Sequence, residues 1–191
     1  LRSDRVDRSR PDVRPSGPVG RRPRHVVSAA DQQRGRVSLV AASATLVGGD
    51  PGIGKSTLLL QAAARFAKNG LKTIYISGEE ANAQIRLRAR RLGLSKAEVL
   101  LGAETNLLNN LTTIAEEKPD IVIIDSIQTL STNNLESTPG SISQIKECTF
   151  ELMKYCKENG KTVFLIGHIT KDGIIAGPKI LEHMVDVVVI F

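Results

Sequence analysis

Cysteine is nearly missing from this chain: Cys148 and Cys156 are its only two, eight residues apart in a stretch that reads as one helix, with no histidine near them in sequence. Neither a disulfide framework nor a zinc site can be built from such a pair. Both thiols are expected in the core, where free cysteine behaves as a small hydrophobe. Long apolar runs are missing too. No window reaches the roughly 18 uninterrupted apolar residues of a membrane span, and the N-terminus carries charges where a signal peptide has its apolar stretch. A cytoplasmic protein without a membrane partner is expected. Lysine is absent from residues 1 to 36, which hold 10 Arg and 4 Asp, whereas the remaining residues hold 16 basic and 16 acidic side chains. The formal charge of +6 therefore lies wholly in the tail. A globally basic surface is excluded as an argument for nucleic-acid binding, and any such argument must rest on loops.

What is present divides in two. Residues 1 to 36 are rich in Arg, Pro, Gly and Ser and show no hydrophobic period, so they cannot bury enough apolar surface to offset their conformational entropy. We expect a disordered tail there, either a nucleic-acid-binding arm or a solvated segment, and one ATPase domain over residues 37 to 191. From about residue 38, short apolar β-type runs alternate with amphipathic helices, the signature of a mostly parallel α/β sheet flanked by helices. The pattern predicts strands over Val37 to Val47, Thr73 to Ser77, Val99 to Leu101, Ile121 to Asp125, Thr162 to His168 and Asp186 to Phe191. It predicts helices from Lys55 to Asn69-Gly70, from about Glu80 to Leu92, and from Leu107 to Glu117. A fourth is expected to start after Thr138-Pro139, with Thr138 as cap and Pro139 at the first helical position, carrying Ile142, Ile145, Thr149, Leu152 and Cys156 inward.

The segment GDPGIGKS matches the G-x-x-x-x-G-K-[ST] phosphate-binding template and lies between a predicted strand and a predicted helix, the context that template requires. Gly49, Gly52 and Gly54 let backbone N–H groups crowd a phosphate. Lys55 supplies a cation for the β- and γ-phosphates, Ser56 a hydroxyl ligand for Mg²⁺, and the helix N-terminus a favourable dipole. Asp50, Pro51, Ile53 and Thr57 complete the nucleotide-binding run. Asp125, after four apolar strand residues, is the expected metal-side carboxylate of a Walker B strand. Glu79 and Glu80 follow strand TIYIS and a flexible Gly78; Glu79 is the candidate base, and Glu80 is expected to start the next helix, where a carboxylate suits the dipole. His168, at the end of TVFLIGH, is the candidate γ-phosphate sensor; His183 is expected to be structural.

Taken together, GGDPGIGKSTLLLQ, YISGEE, VIIDSIQTL, PGSISQIKE and GHITKDGIIAGPKILEHMVD resemble the bacterial RadA/Sms DNA repair family of RecA-like ATPases over about Thr45 to Phe191. The resemblance implies a RecA-like P-loop NTPase core and a DNA-dependent ATPase, using ATP and Mg²⁺, that acts on recombination intermediates, including branch migration. It implies a homo-hexamer on single-stranded DNA and a partnership with RecA recombinase. By motif, Glu79 takes the catalytic glutamate position alongside Lys55, Asp125 the Walker B position and His168 the nucleotide-sensing position. The segments from Ser131 to Ile145 and Lys171 to His183 correspond to channel loops, with Lys171 and Lys179 as the DNA-phosphate contacts. The sequence departs from the family in lacking its four-cysteine zinc module, the Gly-rich approach to the first strand, the KNRFG motif and the Lon-protease-like domain. On that ground residues 1 to about 42 are expected to be foreign to the family, and the core to be C-terminally truncated.

Two other readings compete. A GTPase would carry an Asn-Lys-x-Asp or Thr-Lys-x-Asp guanine reader, and Thr170-Lys171-Asp172-Gly173 misses that spacing; a small-molecule kinase would carry an Arg-bearing lid after the Walker B strand, and residues 131 to 145 contain no arginine. The second alternative is an inactive fragment that holds ATP without turnover.

Overall fold

Among the described residues six short strands stand side by side in the order β3-β2-β4-β5-β1-β6, every neighbouring pair parallel. This computed structural model describes residues 40–168 and 181–191. The elements run β1 (Ala44–Gly49), α1 (Lys55–Lys68), β2 (Thr73–Ser77), α2 (Asn82–Arg91), β3 (Val99–Ala103), α3 (Leu107–Glu117), β4 (Ile121–Asp125), a 3₁₀ turn (Ile127–Thr129), α4 (Ile142–Glu158), β5 (Thr162–His168) and β6 (Val187–Ile190).

The central strands are apolar on both faces because both faces are covered. Along β4 the pleat sends Val122 and Ile124 to one side, where they join Leu46, Ile74, Ile76 and Leu165 beneath Ile114 of α3 and Ile145, Cys148, Leu152 and Cys156 of α4. Ile121 and Ile123 go to the other side, with Val47, Tyr75 and Ile166, beneath Leu59, Leu60 and Ala63 of α1 and Ile85 of α2. Phe66 of α1 stacks on Phe164 of β5 with ring centroids 5.7 Å apart on that side. Both cysteines are core residues, as expected, and burial pushes the Cys148 thiol up to about 11 and Cys156 to about 12. Among the described residues no helix is long and apolar enough to cross a membrane.

Several boundaries differ from the sequence-based expectation. Ala41 and Ala42 form a turn, with Ala42 at φ 59°, so β1 begins at Ala44 and extends to Gly49. β3 runs on to Ala103, in step with Ser77 of β2. The helix after β2 starts at Asn82 rather than Glu80, because Ser77 Oγ accepts the backbone N–H groups of both Glu79 (3.2 Å) and Glu80 (3.0 Å) and holds them in a turn. The helix after Thr138-Pro139 is capped instead by Ser141, whose Oγ accepts from the Gln144 N–H at 3.4 Å. Thr138 to Ser141 is a closed turn with Gly140 at φ 80°, the position a Pro-Gly turn reserves for glycine. Ile142 is consequently 45% exposed and does not face inward, whereas Ile145, Thr149, Leu152 and Cys156 do.

Candidate nucleotide site at the sheet edge

In a parallel sheet all strands end at one edge, and here that edge gathers the polar residues. Gly49 of β1 is level with His168 of β5, and Ser77 of β2 is level with Asp125 of β4. The loop leaving β1 curls with Gly52 at φ 81° and Gly54 at φ 107°, conformations a side chain disfavours, and delivers the chain into the first turn of α1. Lys55 is only 3% exposed; its Nζ donates to the carbonyls of Gly49 (2.8 Å) and Asp50 (2.7 Å), inside the curl. Burial lowers its pKa, and the negative charges of Asp125, Asp50 and Glu79 oppose that shift. The lysine, its loop and both carboxylates thus share one electrostatic site.

Asp125 is buried at the end of β4, with Oδ2 accepting from the Tyr75 hydroxyl and Oδ1 buried without a hydrogen-bond partner. An unpartnered oxygen on a buried carboxylate is costly unless a cation or donor meets it. Among the described residues no three His, Cys, Asp or Glu side chains converge as a metal cage. The free Oδ1 of Asp125 is an oxygen donor of the kind a hard cation takes.

Glu79 lies across from it. Its Oε1 accepts from Ser126 Oγ at 2.6 Å and sits 3.0 Å from His168 Nε2. Burial alone would raise the carboxyl, but the Ser126 hydroxyl, His168 and the Lys55 charge together hold it below its ordinary range. Glu79 is thereby kept ionised, as a proton acceptor must be. Glu80 turns away: it accepts from Arg88 of α2 at 2.8 Å, which corrects its expected place in the first turn of a helix. Gly78 is there for closeness rather than flexibility, since a Cβ on it would collide with the Thr129 hydroxyl. That threonine bonds the Ser126 carbonyl at 2.7 Å, so the turn after β4 is braced against β2 and sets Ser126 beside Glu79.

The predicted residues Lys55, Glu79, Asp125 and His168 thus meet at one edge, and Ser56 and Thr57 begin α1 beside them. Lys171 and Lys179 lie outside the described residues, and His183 follows in the segment after them. Three further residues at or near the site, Ser126, Tyr75 and Gln144, lie outside the set the sequence motifs single out. Gln144 is 2% exposed and holds the loop ahead of α4 at both ends of its amide: Oε1 accepts from Thr132 N at 2.9 Å, while Nε2 donates to Thr132 O at 3.0 Å and Ser137 O at 2.9 Å.

A family profile described as an AAA domain matches residues 28–173. The chain is similar to the DNA repair protein RadA of Brucella abortus (strain 2308), 50% identical over 183 residues that make up 92% of this chain and 39% of that protein. That share exceeds what residues 37 to 191 alone could supply. It is 50% identical to RadA of Aquifex aeolicus (strain VF5) and 49% identical to RadA of Bacillus subtilis (strain 168). Each of these matches covers 80% of this chain, and 34% and 33% of those relatives respectively. The chain thus spans between a third and two fifths of these relatives. Among solved structures, one described as an ATPase domain shares the fold at a TM-score of 0.66 and 15% identity, over 78% of this chain and 69% of that one. The mostly parallel sheet flanked by helices that the sequence predicts is the architecture observed, and it is the fold shared with that structure.

Proposed function

The chain belongs to the AAA domain family, and from that premise we propose that it binds ATP with Mg²⁺ and hydrolyses it in response to single-stranded DNA, as the motor of a DNA repair protein. The observation that carries this reading is Glu79, a carboxylate fixed by Ser126 and His168 at the same sheet edge as the buried lysine of a phosphate loop. In this reading the loop from Gly49 to Thr57 cradles the phosphates through its N–H groups and the dipole of α1. Lys55 exchanges the carbonyls of Gly49 and Asp50 for phosphate oxygens. Ser56 and Asp125 hold Mg²⁺, whose role is to neutralise charge developing on the β- and γ-phosphates. Glu79 orients a water and takes its proton. His168 shares the Glu79 oxygen, so displacement of its ring by the γ-phosphate reports the nucleotide to the segment that follows β5.

The relatives' shared name supports placing this turnover in DNA repair. The segment from Ser131 to Ile145, which runs into the first turn of α4, and Lys171 and Lys179 further on, are the proposed DNA contacts; a hexameric ring, action on recombination intermediates, a RecA partnership and a cytoplasmic location complete the proposal. The test is ATP turnover by the purified chain with and without single-stranded DNA. We expect DNA to raise the rate and Lys55→Ala to abolish it. ATP binding without turnover under both conditions would instead favour a fragment that holds nucleotide but lacks a partner it needs.

A further inference from the structure

Tyr75 is fully buried on the α1 and α2 side of the sheet, and its ring alone would pass for core. Its hydroxyl has chemistry the core does not need. In the parallel register Tyr75 is level with Ile123, and Asp125 stands two residues further along β4 on the same face. The phenol oxygen meets Asp125 Oδ2, Arg88 Nη2 of α2 at 3.5 Å and the Ser56 carbonyl at 3.5 Å. A guanidinium only donates, so at the phenol oxygen Arg88 leaves Tyr75 as acceptor, and the single phenolic proton must go elsewhere. Of the two remaining partners the carboxylate is much the nearer and is charged. Arg88 is in turn fixed by Glu80, at 2.8 Å.

We propose that Tyr75 is a positioning residue for the divalent cation of the nucleotide site. Its hydroxyl occupies Asp125 Oδ2, fixes the carboxylate plane and leaves Oδ1 as the one oxygen presented to the cation, while Arg88 and Glu80 set the direction of the phenolic proton. The assignment rests on the reading that Asp125 serves a Mg²⁺-nucleotide complex. The unpartnered, buried Oδ1 is the feature of Asp125 that such a division of labour requires. An outer hydrogen bond that orients a ligating carboxylate typically changes metal affinity by about ten- to a hundredfold.

The experiment is binding of a fluorescent ATP analogue to the purified chain, first in EDTA and then across a Mg²⁺ titration. Tyr75→Phe keeps the ring and its packing. It is expected to leave the affinity in EDTA unchanged and to raise the Mg²⁺ concentration at half-effect by about tenfold. Arg88→Met should shift the Mg²⁺ midpoint in the same direction by less, and the double variant no further than Tyr75→Phe alone, because Arg88 acts through Tyr75. A Tyr75→Phe titration that overlays wild type, or affinities that fall equally in EDTA and in Mg²⁺, overturns the assignment. Should Tyr75→Phe not fold, Arg88→Met decides alone, and an unshifted Mg²⁺ midpoint overturns it. Wild-type binding that is indifferent to Mg²⁺ would instead remove the underlying reading of Asp125, and this assignment with it.

Discussion

At the scale of single residues the site depends on how two carboxylates are kept different. Asp125 is closed off by the sheet and by Tyr75, whereas Glu79 is half exposed and held ionised by Ser126, His168 and the charge of Lys55. Because its pKa is depressed, Glu79 stays ionised to lower pH than an ordinary glutamate. The stability this adds is present above the ordinary glutamate range and lost as the pH falls through the depressed value. The acid limb of kcat/KM for ATP hydrolysis should follow the same group. Ser126→Ala removes a bond made to the ionised form, so the acid limb should move to higher pH; a limb that stays in place would separate Glu79 from the proton transfer. That Lys55, Glu79, Asp125 and His168 gather at one edge was legible in the sequence, because a Gly-rich loop and the ends of apolar strand runs mark where each of them lies. Tyr75 was not. In TIYIS it is one apolar strand residue among others, and its reach to Asp125 depends on β2 and β4 being neighbours, which no local pattern states.

Elements were read well where hydrophobic period and breaker residues agreed. The stop of α1 before Gly70, the span of α3 and the apolar run of β4 fall where the sequence places them. They were misread where side chains compete for backbone groups. Ser77 delays α2 by capturing two N–H groups, and Pro139-Gly140 forms a turn rather than a first helical step, leaving Ser141 to cap α4. The same junction gives the loop between the 3₁₀ turn and α4 its anchor. Gln144 bonds Thr132 through both its oxygen and its nitrogen and also holds the Ser137 carbonyl. Gln144→Ala leaves these buried groups unpaired and should cost about 1–3 kcal/mol, seen as a lowered denaturant midpoint with an unchanged slope. If the loop meets DNA as proposed, the variant should also lose DNA stimulation while its basal ATPase persists. Full DNA stimulation in a destabilised Gln144→Ala protein would detach the loop from that role.

On the scale of the whole molecule, a parallel sheet with α1 and α2 on one side and α3 and α4 on the other brings every strand end to one edge. Residues as distant in sequence as Gly49, Glu79, Asp125 and His168 become one site for that reason. The α/β class and the strand set followed from alternation alone, but the strand order did not, because short apolar strands carry no label for their neighbours. The proposed motor activity is likewise a property of the assembled edge, with binding residing in the phosphate loop and turnover in Glu79. The most direct test separates those two functions in one protein: ATP binding and hydrolysis by Glu79→Gln, measured beside wild type with single-stranded DNA present. The predicted result is ATP affinity close to wild type with hydrolysis reduced by at least about a hundredfold, in the range typical for loss of a general base. Hydrolysis at the wild-type rate would contradict the account, and loss of ATP binding would make Glu79 a structural residue.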